Sequence, residues 1–226
     1  MNQIKTTKSL LSWSGGKDGS LSYHVLKGSK DLETVGLLTT VTSDYQRISM
    51  HGVRRELLHL QAKELGLPLY EVMIPKNATN EIYEDNMSKR ILELKGSEGI
   101  SQVVFGDLFL QDVRSYREHF LAKLGLDCYF PIWGRDTTQL AESFIRNGFR
   151  AKVCCVDPKK IGCEFCGREY DFDFLTALPK GADLCGENGE FHTFVYAGPI
   201  FQKNIDVKVG EVVEREGFYF ADILPA

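Results

Sequence analysis

The spacing of apolar residues over the first 130 positions predicts strands and helices in alternation. Runs of apolar and β-branched residues predict five strands: Lys8–Trp13, Val35–Val41, Leu69–Ile74, Val103–Phe105 and Leu126–Phe130. Apolar residues at helical intervals predict four helices: Lys17–Leu26, Val53–Leu65, Asn80–Lys95 and Val113–Leu124. Strands that alternate with helices of about 10–15 residues indicate parallel βαβ units. We therefore predict an α/β fold whose residues 1–130 form a doubly wound, parallel five-stranded sheet.

The pattern changes after Pro131. A helix over Thr137–Asn147 and a strand over Arg150–Val156 are followed by turn-rich sequence. Three short strands are predicted beyond it: His192–Tyr196, Val207–Val213 and Phe218–Ile223. We expect residues 131–226 to form a smaller α+β domain that recognises the substrate.

Composition and charge restrict the classes of partner. The chain of 226 residues is 43% hydrophobic and 26% charged, which is typical of a globular protein. No stretch approaches the roughly 20 apolar residues that span a bilayer, and the polar segment Met1–Lys8 lacks the apolar core of a secretion signal. The 27 basic and 31 acidic residues give a net charge of −4, which offers no general electrostatic reason to bind nucleic acid. We therefore expect a cytoplasmic protein that binds neither membranes nor nucleic acid.

Six cysteines in such a protein indicate reduced thiols or metal ligands. Cys163 and Cys166 have the spacing of a zinc knuckle. Cys154, Cys155 and Cys185 could complete a site with four thiolates, but the chain contains no second C-x-x-C pair. We predict that these cysteines hold no essential metal.

The first predicted strand ends in a glycine-rich turn, LLSWSGGKDGS over residues 10–20. Gly15 and Gly16 allow a sharp bend or a close approach of the backbone, and Lys17 suggests an anion as the approaching group. Such a turn before a helix directs several backbone N–H groups at one point, as in phosphate-binding sites. The residues match neither Gly-x-x-x-x-Gly-Lys-[Ser/Thr] nor Gly-x-Gly-x-x-Gly. An ordinary strand-to-helix turn is the alternative.

Three further groups of polar residues are candidates for binding or catalysis. Arg114 and Arg117 are three positions apart on a predicted helix, so they could face one anion or form a solvated helix face. Glu187 and Glu190 flank a turn, where they could hold ammonium and deprotonate it to ammonia, or form an acidic surface turn. His51 precedes a helix, a position more typical of a cap or surface residue than of a catalyst.

Residues 14–18, Ser-Gly-Gly-Lys-Asp, resemble the SGGxDS pyrophosphate loop of the N-type ATP pyrophosphatases, or PP-loop enzymes. In this chain Gly19 and then Ser20 follow Asp18, whereas that family has Ser directly after Asp. Ser20 or backbone N–H groups would replace the missing hydroxyl, or ATP turnover is weakened. Three more stretches resemble the diphthine–ammonia ligase family of that superfamily: MHGVRRELLHLQAKELGLPL (50–69), VVFGDLFLQDVRSYRE (103–118) and CGENGEFHTFVYAGPIF (185–201). Together the motifs cover essentially the whole chain.

The resemblance implies a Rossmann-like fold of the HUP type and an ATP-dependent ligase that joins ammonia to a carboxylate. The carboxylate would be activated as an acyl-adenylate, with release of AMP and pyrophosphate. ATP and Mg²⁺ are the implied cofactors. Asp18 is the nearest carboxylate to hold the metal, or it is simply a favourable acid in the first turn of a helix. The implied acceptor is diphthine on elongation factor 2 in an archaeon or a eukaryote, and the chain could assemble as a homodimer.

The resemblance also implies roles for individual residues. It assigns catalysis to Lys17, Asp18, Glu187 and Glu190. It assigns nucleotide binding to Ser12, Ser14, Gly15, Gly16, Lys17, Asp18, Ser20, Leu38, Thr39, His51, Gly52, Phe105, Gly106 and Asp107. It assigns binding of the acceptor to Arg114, Arg117, Glu118, Asn188, Gly189, His192 and Thr193. Leu38 and Phe105, expected beside the adenine, could equally belong to the core.

Two other functions stay open at this point. PP-loop enzymes that thiolate tRNA use a similar loop together with cysteine pairs, but the acidic net charge and the lack of an RNA-binding domain argue against this function. A non-catalytic adenine-nucleotide-binding protein is compatible with Gly19 in the loop. Release of AMP separates the two enzymes from the binding protein, and a requirement for tRNA separates the two enzymes.

Overall fold

The computed structural model describes residues 6–45, 47–48 and 52–226. The strands of the first sheet are β1 (Thr7–Ser12), β2 (Leu32–Thr42), β3 (Arg47–Ile48), β4 (Leu69–Ile74), β5 (Gln102–Val104) and β6 (Asp127–Tyr129). The helices between them are α1 (Lys17–Leu26), α2 (Arg55–Leu65), α3 (Asn80–Glu98) and α4 (Gln111–Lys123). The remaining elements are α5 (Thr137–Arg146), β7 (Arg150–Val156), a 3₁₀ turn (Cys163–Phe165), α6 (Phe172–Ala177), β8 (Phe191–Ala197), β9 (Val207–Arg215) and β10 (Phe218–Pro225).

The first sheet contains five parallel strands in the order β4-β2-β1-β5-β6. From the central strand β1 the chain first adds strands on one side and then on the other, so the topological switch point lies between β1 and β5. This arrangement confirms the predicted doubly wound parallel sheet. A sixth strand, β3, pairs antiparallel with β2 over two residues. It was not predicted, because two residues are too few to show a periodic pattern.

Both faces of this sheet are buried. Leu11 and Leu37 belong to a core cluster that includes apolar residues of α1 and α2. Leu10 and Leu38, one position away in each strand, belong to a second cluster with residues of α3 and α4. Because successive strand residues point to opposite faces, continuous apolar runs such as these are typical of a sheet covered on both sides.

The second sheet is antiparallel, with the order β8-β7-β10-β9. It confirms the predicted smaller α+β region at the C-terminal end. Phe144, Phe174 and Phe194 of this region share one core cluster with Leu11 and Leu37 of the first sheet. The division of the chain into domains at residue 130 stays a prediction, because this apolar core continues across it.

Several element ends differ from the predictions. Helix α3 continues past Gly96 and ends at Gly99, which adopts the left-handed conformation with φ +71°. Gly96 is tolerated inside the helix at a cost of about 1 kcal/mol. The sequence predicts turns where helix α6 lies, because six residues are too short for a periodic signal. Asp171 starts it by accepting a hydrogen bond from the Phe174 N–H at 2.8 Å. Within the described ranges, no helix has both the length and the apolar composition needed to cross a bilayer.

Candidate active site

A cleft of about 440 Å³ lies at the carboxyl ends of β1 and β5, beside the topological switch point. Its walls come from the loop after β1, from β2, from the loop after β5, from helices α3 and α4, and from the segment that leads into β8. Ligands of open α/β sheets bind at this edge. The cleft therefore lies where the sheet topology predicts a ligand.

The structure brings most of the predicted site residues to this cleft. Those that line it are Ser12, Ser14, Gly16, Lys17, Asp18, Leu38, Thr39, Phe105, Gly106, Asp107, Arg117, Glu187, Gly189, His192 and Thr193. Those that lie outside its lining are Gly15, Ser20, Gly52, Arg114, Glu118, Asn188 and Glu190. His51 lies outside the described residues.

Gly15 gives the loop after β1 its bend. Its φ of +81° is a left-handed conformation, and a Cβ there would lie 2.7 Å from Gln61 Oε1. The Gln61 amide nitrogen donates to Gly15 O at 3.0 Å and to Val195 O at 2.6 Å, while its oxygen accepts from Trp13 Nε1 at 2.9 Å. Only glycine fits, because the loop turns against this fully buried side chain. The loop is thereby held between α2 and β8.

Helix α1 begins at this bend and directs its N-terminus at the cleft. Gly16 contributes no side-chain cap, and the Lys17 N–H donates to Thr193 Oγ1 of β8 at 3.1 Å. Gly106 packs against the same turn, where a Cβ would lie 2.9 Å from the Asp18 backbone carbon. Because a helix N-terminus carries partial positive charge, this end of the cleft favours an anion.

Ser20 does not contribute its hydroxyl to the cleft. Its Oγ donates to Gly16 O at 3.0 Å within the first turn of α1, and the residue is fully buried. Because the Ser20 hydroxyl donates its hydrogen to the helix backbone, it does not replace the serine hydroxyl that PP-loops carry at the position of Gly19.

Lys17 is a buried cation in this cleft. Its side chain is 3% exposed, and its Nζ lies 2.8 Å and 2.9 Å from the two carboxylate oxygens of Asp18. The rings of Tyr170 and Phe191 enclose it, with centroids 6.0 Å and 5.7 Å from Nζ. Burial alone would lower the pKa of Lys17, but its ion pair and hydrogen bond with Asp18, together with the nearby Cys185 and Glu187, outweigh burial, so this pKa is raised. Lys17 therefore stays charged across the physiological range.

Glu187 is the acid in the cleft that can exchange a proton near neutral pH. Its Oε1 accepts a hydrogen bond from the Leu108 N–H at 2.8 Å, which joins the segment before β8 to the loop after β5. Burial raises the pKa of Glu187 to about 7, although the Leu108 hydrogen bond opposes the shift; the nearby charge of Asp18 adds to it. Burial and the charge of Lys17 lower the pKa of His192 to about 4, so this imidazole is neutral at pH 7.

Glu190 lies behind the cleft instead of in it. The residue is 3% exposed, and its Oε1 accepts from the Asp183 N–H at 2.9 Å and from the Asn188 side chain at 3.2 Å. Its Oε2 has no hydrogen-bond partner among the described residues. The turn folds over this carboxylate, so Glu190 orders the turn that carries Glu187.

Arg114 and Arg117 do not converge on one point. The Arg117 Nε lies 2.8 Å from Asp107 Oδ2, and its guanidinium carbon is 4.3 Å from the centre of the Phe105 ring. The Arg114 Nε pairs with Glu118 at 2.7 Å, and its guanidinium stacks on the aromatic rings of residues 130 and 133. The two arginines are three positions apart on one face of α4, but their guanidinium groups contact different residues.

The sequence did not reveal the apolar wall of the cleft. This wall consists of residues from α3, from α4 and from the position just before α4: Tyr83, Met87, Ile91, Leu110, Val113, Tyr116, Phe120 and Leu121. Their helical spacing indicates burial and carries no sign of a ligand. Thr39 also lines the cleft, and its Oγ1 is buried without a hydrogen-bond partner among the described residues.

A metal site is not preformed. In the part of the chain that the structure describes, no group of three or more His, Cys, Asp and Glu side chains is arranged to hold an ion. Asp18, the predicted magnesium ligand, directs both carboxylate oxygens at Lys17.

Known proteins resemble this chain over most of its length. The human diphthine–ammonia ligase is 27% identical over 79% of the chain and 70% of its own length. The rat diphthine–ammonia ligase is 25% identical over 93% of the chain and 86% of its own length. A solved structure from Methanocaldococcus jannaschii is described as a predicted subunit of tRNA methyltransferase. Its match covers 96% of this chain and 97% of that structure's chain, with 16% sequence identity and a TM-score of 0.40. Residues 7–128 match the diphthamide synthase N-terminal domain and residues 136–223 match its C-terminal domain. The chain therefore belongs to the diphthamide synthase family.

Proposed function

We propose that this chain is an ATP-dependent ligase that forms an amide from a carboxylate and ammonia, as the name of its diphthine–ammonia ligase relatives describes. One observation carries the proposal. A buried cation at a helix N-terminus, Lys17, and an acid with a pKa of about 7, Glu187, line the same cleft. The Lys17 cation can stabilise the charge on a departing phosphate group. The Glu187 carboxylate can accept the proton that a nucleophile must lose.

The first half-reaction is the transfer of AMP to the carboxylate. A carboxylate oxygen attacks the α-phosphorus of ATP, and the bond to pyrophosphate breaks. Lys17 and the N-terminus of α1 would stabilise the negative charge that develops on the pyrophosphate. The apolar wall of α3 and α4, together with Leu38 of β2, would hold the base of the nucleotide.

Mg²⁺ belongs to this proposal as the ion that accompanies ATP. Magnesium is usually held by one or two protein carboxylates together with the phosphates of the nucleotide. The absence of a preformed group of ligands among the described residues agrees with this mode of binding. Asp18 is the proposed protein ligand, and its carboxylate would then be shared between the ion and Lys17.

The second half-reaction is the attack of ammonia on the acyl-adenylate. The nitrogen forms a bond to the acyl carbon, AMP leaves with the electrons of the broken C–O bond, and the nitrogen must lose a proton. Glu187 is the proposed general base, because a base with a pKa near the working pH is the most effective. Glu190 would act through Glu187 by fixing the turn that carries it.

The name of the relatives gives the proposed acceptor, a diphthine group. In an archaeon or a eukaryote, elongation factor 2 would carry this group. A cytoplasmic location and a homodimer are parts of the same proposal. The alternative of tRNA thiolation finds no support in the cleft. Cys185, the cysteine among the described lining residues, donates its thiol hydrogen to Thr137 O at 3.3 Å. Burial raises the pKa of this thiol to about 12. Such a thiol is a poor nucleophile.

The test follows both products. The chain is incubated with ATP, Mg²⁺, ammonium and elongation factor 2 that carries diphthine, and AMP and the amide are measured. Glu187→Gln should bind ATP like the parent and lose amide formation by about 10²-fold or more. Lys17→Ala should lose both ATP binding and AMP release, whereas Glu142→Gln, at an exposed ion pair of α5, should change neither. Formation of ADP instead of AMP, or an unchanged rate in Glu187→Gln, would contradict the proposal.

A further inference from the structure

The C-x-x-C pair of the second region has a structural setting that the proposed ligase does not use. Cys163 opens the 3₁₀ turn and is exposed, and Cys166 closes it with only 9% of its surface exposed. All six cysteines of the chain are free thiols. Among the described residues, no third His, Cys, Asp or Glu side chain is arranged with this pair to hold an ion.

The backbone of the 3₁₀ turn brings the two cysteines close to each other. The Cys166 N–H donates to Cys163 O at 3.0 Å. A turn closed by this hydrogen bond brings its first and fourth Cα atoms to less than about 7 Å, and a disulfide needs a Cα separation of about 4.4–6.8 Å. In a 3₁₀ turn, side chains at positions i and i+3 lie on the same side. The pair can therefore be oxidised without a large movement of the backbone.

The two thiols also differ in the manner that disulfide exchange requires. Cys163 is open to solvent and to an incoming disulfide. The Cys166 thiol is shielded, donates to Tyr219 O at 3.4 Å, and burial raises its pKa to about 11. A shielded thiol of this kind does not attack a solute, but it can attack a sulfur atom that its neighbour has already captured.

We propose that Cys163 and Cys166 form a redox-active dithiol that exchanges with small-molecule disulfides. The Cys163 thiolate attacks one sulfur of a disulfide R–S–S–R, the S–S bond breaks, and R–S⁻ leaves. Cys166 then loses its proton to solvent, its sulfur attacks the Cys163 sulfur, and the second R–S⁻ leaves. Two thiols are oxidised to one intramolecular disulfide with loss of two electrons and two protons. The same two electrons reduce R–S–S–R to two thiols.

The 3₁₀ turn lies close in the chain to a residue that contacts the acidic turn before β8. Cys163 follows Lys160 by three residues, and the Lys160 Nζ binds Asn188 O of the turn between Glu187 and Glu190. Lys160 also pairs with Asp157 at 3.6 Å. Oxidation at Cys163 therefore takes place on the segment that supports the acidic turn.

The experiment uses the folded full-length chain and mixtures of reduced and oxidised glutathione. Free thiols are alkylated after unfolding, counted by intact mass, and located by peptide mapping. Oxidation should lower the number of alkylated cysteines from six to four and produce a peptide that links Cys163 with Cys166. Cys166→Ser should stop at a stable mixed disulfide with glutathione on Cys163. Cys163→Ser should keep all five remaining thiols at the same glutathione ratio.

Cys128→Ser is the matched control, because Cys128 is partly exposed and lies outside the turn. It should form the Cys163–Cys166 link at the same ratio as the parent. A link between Cys155 and Cys166, or a mixed disulfide on Cys163 that persists in the parent chain, would overturn the proposal. So would retention of six free thiols in fully oxidised glutathione.

Discussion

Replacement of Gln61 by leucine should lower both the free energy of unfolding and the affinity for ATP. Gln61 is fully buried and makes three hydrogen bonds, to Trp13, Gly15 and Val195. Gly15 O would keep one partner, the Val195 N–H at 2.9 Å, but the Trp13 Nε1–H would lose the acceptor that Gln61 provides. A buried polar group left without a partner costs about 1–3 kcal/mol. With the weakened contacts to Gly15 and Val195 included, we expect a loss of about 2–4 kcal/mol.

This loss is large beside a typical domain stability of about 5–15 kcal/mol, so urea denaturation should detect it. Trp13→Phe removes the indole N–H and serves as the second arm of a double-mutant cycle. The two substitutions together should cost less than the sum of the single effects by about 1 kcal/mol, because both remove the same hydrogen bond. Gln139→Leu, on the exposed surface of α5, should change stability by less than about 0.5 kcal/mol.

Affinity for ATP distinguishes a positioning role from a general loss of stability. Calorimetry at a temperature where the variant is fully folded should show weaker ATP binding by Gln61→Leu. The reason is that the loop after β1 loses the hydrogen bond from the Gln61 amide to Gly15 O. Gln61→Glu keeps the acceptor for Trp13 but removes both amide donors, so it should stay impaired. An unfolding free energy of Gln61→Leu within 0.5 kcal/mol of the parent, or additive effects with Trp13→Phe, would refute the reasoning.

Other perturbations test the cleft more locally. The rate of amide formation should rise as pH passes through about 7, where Glu187 loses its proton, and Glu187→Gln should flatten this profile. Since the pKa of Glu187 is raised from 4.5, its contribution to stability is present at low pH and lost as pH rises through about 7; urea denaturation of Glu187→Gln should show no such loss. Gly106→Ala should cost about 1–3 kcal/mol and weaken ATP binding, because its Cβ would meet the Asp18 backbone at 2.9 Å. Gly96→Ala has open space and should instead stabilise α3 by about 0.5–1 kcal/mol in thermal unfolding.

The sequence predicts those parts of the fold that depend on local pattern. The five parallel strands carry continuous apolar runs that no other element type explains as well, and their order follows from the alternation with helices. Helix α6 and strand β3 are not predicted, because six and two residues are too few to show a periodic pattern. Tertiary contacts stabilise these short elements. Gly96 predicts a helix end, but the chain reaches Gly99 because propensity is a weak force beside packing.

The candidate site divides along the same line. The glycine-rich loop and the acidic turn of the site are visible in the sequence. Glycines and charged residues clustered at the ends of strands indicate a binding site more often than a packing requirement. Gln61 binds residues that are 46 and 134 positions away, so only the folded chain shows its role. One signal was present: it occupies a position between Leu57 and Leu65 on the apolar face of α2, where a polar side chain needs a partner.

Strand β8 connects the two halves of the cleft through the backbone. Its Val195 N–H donates to Gly15 O, its Thr193 hydroxyl accepts from the Lys17 N–H, and the turn that carries Glu187 directly precedes it. We expect a ligand bound at the loop to affect the strand through these two hydrogen bonds, and the turn through the strand. Thermodynamic linkage then requires reciprocity: ATP should raise the affinity for the acceptor by the same factor by which the acceptor raises the affinity for ATP. In the proposed reaction, strand β8 would thereby couple the binding of the nucleotide to the binding of the acceptor.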